Sequence, residues 1–300
     1  MNIELARTFL EIVSTGSFAR AADQLHVTHS TVTMRIKALE EIVNQKLLIR
    51  NKTGVTLTAS GVRFLRFAET LVRTWQLTRR QMALASGLDG ILSVGADPAL
   101  WDDLLYDWIC TMRRWRPEIA IRGEGNDADH LLRRLFQGWL DVCIVYTAQS
   151  RVGFKIEHLF DDPLVLVSTV DRGVVDWDPA FIEIDWDESY RSQIENLYQM
   201  DDKTPLISVT MGWLGLRLLT KFGGSTWIPY RLFKKQNFQR KLYLVRGAPT
   251  VSRVAYMVYS EEALKERLPQ LSAKEIRESI LKELGPSEAE VKRPSRRRAS

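Results

Sequence analysis

Short polar side chains and one cation recur on a single side of a helix predicted from about Thr28 to Glu41. At 100° per residue, Val32, Ile36 and Leu39 fall within one narrow arc, which predicts a buried apolar face. The opposite side carries Ser30, Thr33, Met34 and Lys37, with His29 and Arg35 on its flanks. Hydroxyls and a cation on one exposed helix face can hydrogen-bond to base edges in the major groove of DNA. Because most surface helices have one polar face, the interpretation depends on the neighbouring elements.

These neighbouring elements form an ordered set that is typical of a winged helix-turn-helix. An amphipathic helix ends at Thr15-Gly16-Ser17, and a second helix containing Ala21 and Ala22 follows it. After the polar helix, the apolar segments 47–49 and 55–57 flank a polar turn, which predicts a two-stranded wing. Loop and wing positions, past which DNA phosphates would run, carry the cations Arg20, Arg50 and Lys52.

A long helix is predicted next, from about Ala59 to Ser86, with Thr58 as its N-cap. Its apolar stripe consists of Phe64, Ala68, Leu71, Trp75 and Met82. A helix of this length is not covered by a small N-terminal domain alone. We therefore expect it to pair with the same helix of a second subunit.

The rest of the chain alternates strands and helices. A strand–helix–strand–helix–strand unit spans residues 91–146, including one helix at 98–114, and a second α/β unit covers about 181–260. Two such units predict two lobes with a cleft at the carboxyl ends of the strands. A final helix is predicted at Ala273–Glu283. The expected domains are 1–58 (winged helix-turn-helix), 59–87 (linker and dimerisation helix), 88–284 (two-lobed effector-binding domain) and 285–300 (basic disordered tail).

Charge is distributed unevenly along the chain. Residues 1–90 hold 12 Lys/Arg against 7 Asp/Glu (+5), residues 91–291 hold 25 against 30 (−5), and the last nine hold 5 against 0 (+5). This asymmetry favours a polyanionic partner for the ends of the chain. No apolar run is long enough to span a bilayer and no secretory signal is visible, so we expect a cytoplasmic protein. Cys110 and Cys143, both with apolar flanks, are expected to be buried and reduced.

Catalytic and metal-binding motifs are missing from the sequence. It contains no nucleophile elbow, no P-loop and no dinucleotide-binding fingerprint. His26, His29 and Asp23 lie close together in sequence, but they belong to a turn and to the start of the polar helix. No fourth metal ligand is near them. We predict no enzyme activity, no cofactor and no metal.

The N-terminal segment resembles the LysR-type transcriptional regulators. The residues that carry the resemblance over positions 3–63 are Phe9, Gly16-Ser17-Phe18, Ala21-Ala22, Leu25, Val27-Thr28, Val32-Thr33, Ile36, Leu39-Glu40, Leu47, Arg50, Leu57-Thr58 and Gly61. A weaker resemblance continues in Gly90–Gly95, Pro117, Leu135–Gly138, Leu140–Val142, Phe222–Gly224 and Ile228-Pro229. It implies an all-α winged helix-turn-helix with a long linker helix, followed by an α/β, two-lobed, periplasmic-binding-protein-like domain.

The same resemblance implies partners and contacts. The partners are double-stranded operator DNA, further copies of the chain as a homotetramer (a dimer of dimers), a small-molecule effector and RNA polymerase. Base contacts would fall on His29, Ser30, Thr33 and Met34, and phosphate contacts near Ser17, Thr31, Arg35, Arg50 and Lys52. The family commonly has Pro where Ser30 stands and Arg where Met34 stands. Losing that Arg removes a guanine reader worth about 1–3 kcal/mol of discrimination, so we expect an unusual operator. Met34 either contacts a thymine methyl or packs at the groove edge.

Effectors of the resembling family bind between the two lobes. The matching positions here include Asp97, Trp101, Asn126, Asp127, Met211 and Trp213. Two aspartates there would repel an anion and favour a cationic, amine-bearing or polyol ligand. The alternative is that Asp97 and Asp127 are helix N-caps, since each directly precedes a helix. The tryptophans either line an aromatic pocket or belong to the core.

Overall fold

The computed structural model describes residues 2–51, 54–82, 87–175, 177–187, 190–194, 204–240 and 242–284, with the backbone alone at 77, 80, 81 and 236–240. Among these residues, no helix combines the length and apolar character that crossing a membrane requires. The predicted basic tail, 285–300, lies outside the described residues.

The N-terminal unit is a helix-turn-helix with a wing. Its elements are α1 (Ile3–Thr15), α2 (Phe18–Leu25), α3 (His29–Val43), β1 (Leu48–Asn51) and β2 (Gly54–Leu57), the two strands pairing antiparallel. Phe9, Ile12 and Leu39 are fully buried at the centre of its core. The helix α4 (Ala59–Met82) starts at the N-cap Thr58, whose hydroxyl oxygen accepts from the Gly61 N–H at 2.9 Å. A side chain at Gly61 would lie 2.1 Å from the Leu47 carbonyl oxygen, so this position needs a glycine.

The first lobe is built on a five-stranded sheet. Its elements are β3 (Gly90–Ala96), α5 (Pro98–Trp101), α6 (Leu104–Trp115), β4 (Ile119–Gly125), α7 (Ala128–Phe136), β5 (Val142–Val145) and β6 (Lys155–Asp161), completed later in the chain by β12 (Val254–Tyr259), α10 (Glu261–Arg267) and α11 (Ala273–Glu283). The strand order is β4-β3-β5-β12-β6, with β3 parallel to both β4 and β5. The parallel unit and the final helix predicted from the sequence are confirmed.

The second lobe follows β6. It contains β7 (Leu164–Ser168), β8 (Ile182–Ile184), β9 (Ile207–Val209), α8 (Gly212–Phe222), β10 (Ser225–Pro229), α9 (Tyr230–Arg240) and β11 (Tyr243–Leu244). The strands form a sheet of order β10-β7-β11 and a parallel pair β8-β9, joined by a bridge between Phe181 and Ser225. The chain passes between the lobes twice, next to Asp162 and next to Arg253, where the Asp162 N–H donates to the Arg253 carbonyl at 2.8 Å.

Three details differ from the predictions. The single helix predicted at 98–114 is divided into α5 and α6 because the backbone of Asp103 leaves the helical conformation and its buried carboxylate binds Arg231 of the other lobe. The helix α10, capped by the Ser260 hydroxyl, was not predicted. Cys143 is buried, but Cys110 is exposed on α6, so the prediction of two buried thiols is wrong for Cys110.

Candidate nucleic-acid interface and sensor cleft

The orientation of α3 is fixed by its apolar face and its N-cap. Val32 and Ile36 lie in the core of the N-terminal unit. The Thr28 hydroxyl oxygen accepts from the Thr31 N–H at 3.2 Å and lies 2.8 Å from the Ser30 hydroxyl. Capping satisfies amide groups that a helix start would otherwise leave unpaired. The helix therefore presents one defined face outward.

That outward face carries the side chains predicted to contact bases. His29, Ser30, Met34 and Lys37 are exposed, and Met34 is exposed by 66%. Thr33 is half-buried between this face and the wing. Single exposed apolar side chains are common on protein surfaces, so it is the position of Met34 among these polar groups on one helix face that suits a contact surface.

Arg50 connects the wing to both helices of the motif. Its Nη2 donates to the Thr33 hydroxyl oxygen at 3.2 Å, and its guanidinium carbon lies 3.6 Å from the centre of the Phe18 ring. Stacking and hydrogen bonding hold this exposed cation in one place next to α3. A fixed cation is well suited to position a phosphate.

The other predicted phosphate contacts are placed differently. Ser17 is the N-cap of α2, and its hydroxyl oxygen accepts from the Arg20 N–H at 3.4 Å. The Arg35 guanidinium turns toward α1, with Nη1 3.6 Å from a Glu4 carboxylate oxygen and 3.3 Å from the Thr8 hydroxyl oxygen. Arg35 is thus engaged within the domain, away from the exposed face. Lys52 lies outside the described residues.

Glu40 positions the wing, although the sequence reasoning gave it no role. Its buried carboxylate accepts from the N–H groups of Leu47 and Leu48 at 2.9 and 3.3 Å and from Lys46 Nζ at 2.7 Å. Burial alone would raise the pKa of this carboxyl, but the hydrogen bonds outweigh burial and lower it. A polar residue at the end of an amphipathic helix, just before a strand, is the signal that could have indicated this.

The helix α4 has two apolar stripes. One is covered within the chain: Ala68 and Val72 are buried, and the Phe64 ring lies 5.2 Å from the Phe9 ring. The same helix contacts the first lobe through the ion pair of Glu69 with Arg151.

The second stripe of α4 is open in the single chain. It consists of Phe67, Leu71, Trp75 and Met82, which are exposed by 67, 40, 47 and 82%. The structure therefore takes Phe64 out of the predicted pairing surface and adds Phe67, which lies one turn before Leu71.

The predicted effector residues of the first lobe are engaged in local structure. Asp97 and Asp127 are the N-caps of α5 and α7, accepting from the N–H groups of Ala99 and His130 at 2.9 and 2.8 Å. The Asn126 side-chain oxygen accepts from the Asp127 N–H at 2.9 Å. Both aspartates thus take the capping role. Burial raises the pKa of Asp97 to about 6, and the hydrogen bond from Ala99 opposes this rise.

The predicted aromatic residues occupy two environments. The Trp101 indole N–H reaches the carbonyl oxygens of Ala96 and Glu124, each at 3.2 Å, so its ring closes the ends of β3 and β4. On the other lobe, Met211 and Trp213 are exposed by 42 and 46% at the start of α8. Burial raises the pKa of Asp102 in the first lobe, and the Trp213 backbone N–H across the cleft opposes that rise.

A buried charged cluster at the junction of the lobes was not predicted. Arg231 binds the Asp103 carboxylate, an Asp162 oxygen (3.0 Å from Nε) and the Ala99 carbonyl (2.8 Å from Nη2). The Tyr146 hydroxyl donates to the other Asp162 oxygen at 2.6 Å. Arg231 lies on α9 of the second lobe, and all three of these acceptors lie outside that helix. Its hydrogen bonds therefore hold the two lobes together.

Arg253 lies in the same junction but is not saturated. It is exposed by 4%, and its guanidinium carbon is 3.5 Å from the Tyr146 ring centre and 5.6 Å from that of Trp186. Its Nε is 3.0 Å from Asp187 Oδ2, in a geometry that forms no hydrogen bond. None of its three guanidinium nitrogens makes a hydrogen bond within the described part of the chain, so Arg253 is held there by the ion pair with Asp187 and by the two rings.

The described part of the chain contains no cluster of side chains that could hold a metal ion. His26 is the C-cap of α2, and the His29 ring lies 6.1 Å from the Phe18 ring, so both histidines belong to the helix-turn-helix.

Comparisons with known proteins agree with this architecture. Residues 3–62 match the family described as bacterial regulatory helix-turn-helix protein, lysR family, and residues 85–270 match the LysR substrate binding domain. The chain is 28% identical over 271 residues to the HTH-type transcriptional regulator HdfR of Escherichia coli O17:K52:H18, covering 89% of this chain and 95% of HdfR.

Solved structures share the fold at low sequence identity. ArgP from Mycobacterium tuberculosis has a TM-score of 0.54 and 16% identity, covering 94% of this chain and 96% of ArgP. Vibrio fischeri DarR, solved in complex with DNA, has a TM-score of 0.51 and 19% identity, covering 95% of this chain and 98% of DarR. With family matches over both the helix-turn-helix and the two-lobed α/β part, the chain belongs to the LysR family and is a DNA-binding transcriptional regulator, not an enzyme.

Proposed function

We propose that this regulator recognises its operator through the exposed face of α3. The single observation that carries the proposal is the placement of exposed side chains on a helix whose other face is locked in the core, beside a fixed wing arginine. The base-contacting residues are His29, Ser30, Thr33, Met34 and Lys37. The phosphate-contacting residues are Ser17, Thr31, Arg50 and Lys52, whereas a phosphate contact by Arg35 would compete with its pair to Glu4.

Operator preference follows from the chemistry of this face. Lys37 and the two hydroxyl residues can donate to and accept from base edges, and Met34 offers an apolar contact without a donor. A site read in this way depends less on a bidentate guanine contact than one read by arginine. Met34 either meets a thymine methyl or packs at the groove edge.

Self-association supports binding to two half-sites. The open stripe of α4 belongs to a helix of 24 residues, about 36 Å long, so two antiparallel copies can cover each other's apolar side chains. The paired helices would form the dimer, and two dimers the tetramer. Within each chain, the functional units are 1–58 for DNA, 59–87 for pairing, 88–284 for sensing and 285–300 as a basic tail.

Sensing belongs to the cleft between the lobes. A small-molecule effector bound there would contact both lobes and change their relative orientation, and RNA polymerase would be the downstream partner. The support is the two-crossover connection, with buried charges at the junction that a ligand could rearrange.

Substitutions on α3 test the proposal. Thr33→Ala and Lys37→Ala each remove a polar contact to DNA while leaving the buried face intact. We expect operator affinity to fall roughly 5- to 100-fold per subunit when one base contact is removed. Genome-wide footprinting would identify the operator DNA, and a gel-shift titration would then measure the affinity of each variant for it.

A matched control keeps the test specific. Lys221→Ala removes a cation from α8 in the second lobe and should leave operator affinity unchanged. Unchanged affinity of the Thr33 and Lys37 variants, with native thermal stability, would refute the assignment of α3.

A further inference from the structure

Two buried arginines at the lobe junction have opposite hydrogen-bonding states. Arg231 is hydrogen-bonded to two carboxylates and a carbonyl oxygen, whereas Arg253 is ion-paired with Asp187 and its guanidinium nitrogens make no hydrogen bond among the described residues. A buried polar group without a partner costs about 1–3 kcal/mol, and a buried charge costs more. Arg231 therefore holds the lobes together, whereas Arg253 has an ion-pair partner in Asp187 but makes no hydrogen bond in the described part of the chain.

Asp187 supplies the complementary unsatisfied group. One of its oxygens accepts from the Tyr190 N–H at 2.7 Å, while the buried Oδ2, beside Arg253, has no hydrogen-bond partner in the described part of the chain. The Asp97 backbone N–H donates to the Ile144 carbonyl at 3.1 Å, two residues before Tyr146, and the charges of Arg253 and Asp187 affect the pKa of the Asp97 carboxyl. The junction thus contains a buried ion pair without hydrogen bonds, with two further guanidinium nitrogens that also lack them, and a second carboxylate nearby.

The surroundings of Arg253 restrict how a ligand can approach it. The rings of Tyr146 and Trp186 lie near the guanidinium, with Tyr146 close against its face at 3.5 Å. A carboxylate binds a guanidinium in its plane, through two parallel hydrogen bonds, so stacking on a ring and binding a carboxylate are compatible. Arg253 lies at the second crossover, so a ligand bound to it would lie between the lobes.

We propose that the effector is a zwitterion of the α-amino acid class, its carboxylate bound by Arg253 and its ammonium group by Asp187 and Asp97. This inference rests on the proposed effector function and names the ligand class. A simple anion would leave the two carboxylates facing each other, and a simple amine would leave Arg253 unsatisfied. A molecule with both charges gives hydrogen-bond partners to the guanidinium and to the carboxylates at the same time.

Binding to the full-length protein tests this directly. Each proteinogenic L-amino acid is screened by thermal shift, and any that stabilises the protein is measured by calorimetry. For that amino acid, the amine lacking the carboxylate and the acid lacking the amine are measured in parallel. Each analogue should bind roughly 10- to 100-fold more weakly, as expected for loss of hydrogen bonds to a charged group.

Variants assign the binding to these residues. Arg253→Gln and Asp187→Asn should each weaken amino acid binding by a similar factor, and Arg253→Lys should restore part of it. The control is Arg267→Gln, which breaks the pair with Asp141 elsewhere in the first lobe and should lower stability without changing affinity.

The outcomes separate this inference from the broader function. If no amino acid binds, if a singly charged analogue binds equally well, or if Arg253→Gln keeps full affinity, the zwitterion inference is overturned. The two analogues are tested on the unmodified protein, so the result does not depend on folding of the variants. Operator binding, measured without any amino acid, reports separately on the proposed function of α3.

Discussion

Asp97 shows how burial changes the chemistry of a single side chain. It caps α5, yet its carboxylate lies near Arg253, Asp187 and Arg231 at the lobe junction. Burial raises its pKa from 3.8 to about 6, the neighbouring arginines oppose the rise, and Asp187 adds to it. Ionised Asp97 is therefore unfavourable in the folded protein without ligand, and an ammonium group would relieve this cost.

A pH dependence of stability follows. Since the folded pKa is raised, the contribution of Asp97 to stability is fully present below about pH 4 and is lost as the pH rises through about 6. Asp97→Asn keeps the cap but not the charge. At about pH 7.5 the variant should therefore gain roughly 1–3 kcal/mol relative to wild type, and little or nothing near pH 4.

Urea unfolding of both proteins at the two pH values measures this difference. Ser260→Ala, which removes an uncharged N-cap from α10 of the same lobe, is the control and should show a difference that does not change with pH. An Asp97→Asn difference that is equal at both pH values would contradict the explanation.

At the scale of elements, α4 joins the two functions of the molecule. One of its stripes packs on the N-terminal core, and Glu69 binds Arg151 of the first lobe. The open stripe of Phe67, Leu71, Trp75 and Met82 has no cover in the single chain. A row of four exposed apolar side chains on one helix is typical of a subunit interface.

Trp75→Arg should therefore disrupt pairing of the chains. It places a charge in the centre of the open stripe, and tryptophan is a residue type that often dominates interface energies, with losses of about 2 kcal/mol or more on truncation. Analytical ultracentrifugation should show dissociation at concentrations where wild type is associated. Thr70→Arg adds the same charge on an exposed polar side of α4 and should leave the assembly intact. Sedimentation of the Trp75 variant as the native oligomer would count against pairing through α4.

The sequence predicted elements better than long-range contacts. Val32, Ile36 and Leu39 defined the buried face of α3 by spacing alone, and the parallel unit of the first lobe followed from its alternating strands and helices. The break at Asp103 and the junction of Arg231 with Asp103 and Asp162 were not predictable, because these partners are as many as 128 residues apart. Arg253 carries no local signal, since only the crossing of the chain between lobes buries it. The ion pair of Arg35 with Glu4 was not predicted, because Glu4 lies on a different helix.

The whole molecule separates its charges by function. The first 90 residues carry a net +5 and residues 91–291 a net −5, so the acidic body repels DNA while the N-terminal unit attracts it. This separation favours an orientation in which the N-terminal unit, and not the acidic lobes, faces the duplex. Within that unit, Arg50 contributes both a charge and a fixed position, through its contacts with Phe18 and Thr33.

These two contributions of Arg50 can be separated by salt. The logarithm of operator affinity should fall linearly with the logarithm of the salt concentration, because phosphate contacts release counterions. Arg50→Gln should reduce that slope by about one for each phosphate that the side chain no longer neutralises. Arg50→Lys keeps the charge but loses the planar stacking and directed hydrogen bonding, so it should keep the slope and weaken binding equally at all salt concentrations.

The control is Lys221→Gln in the acidic body, which should change neither the slope nor the affinity. Gel-shift titrations across a range of salt would measure all four proteins, and an Arg50→Gln slope equal to that of wild type would show that this wing cation does not reach a phosphate.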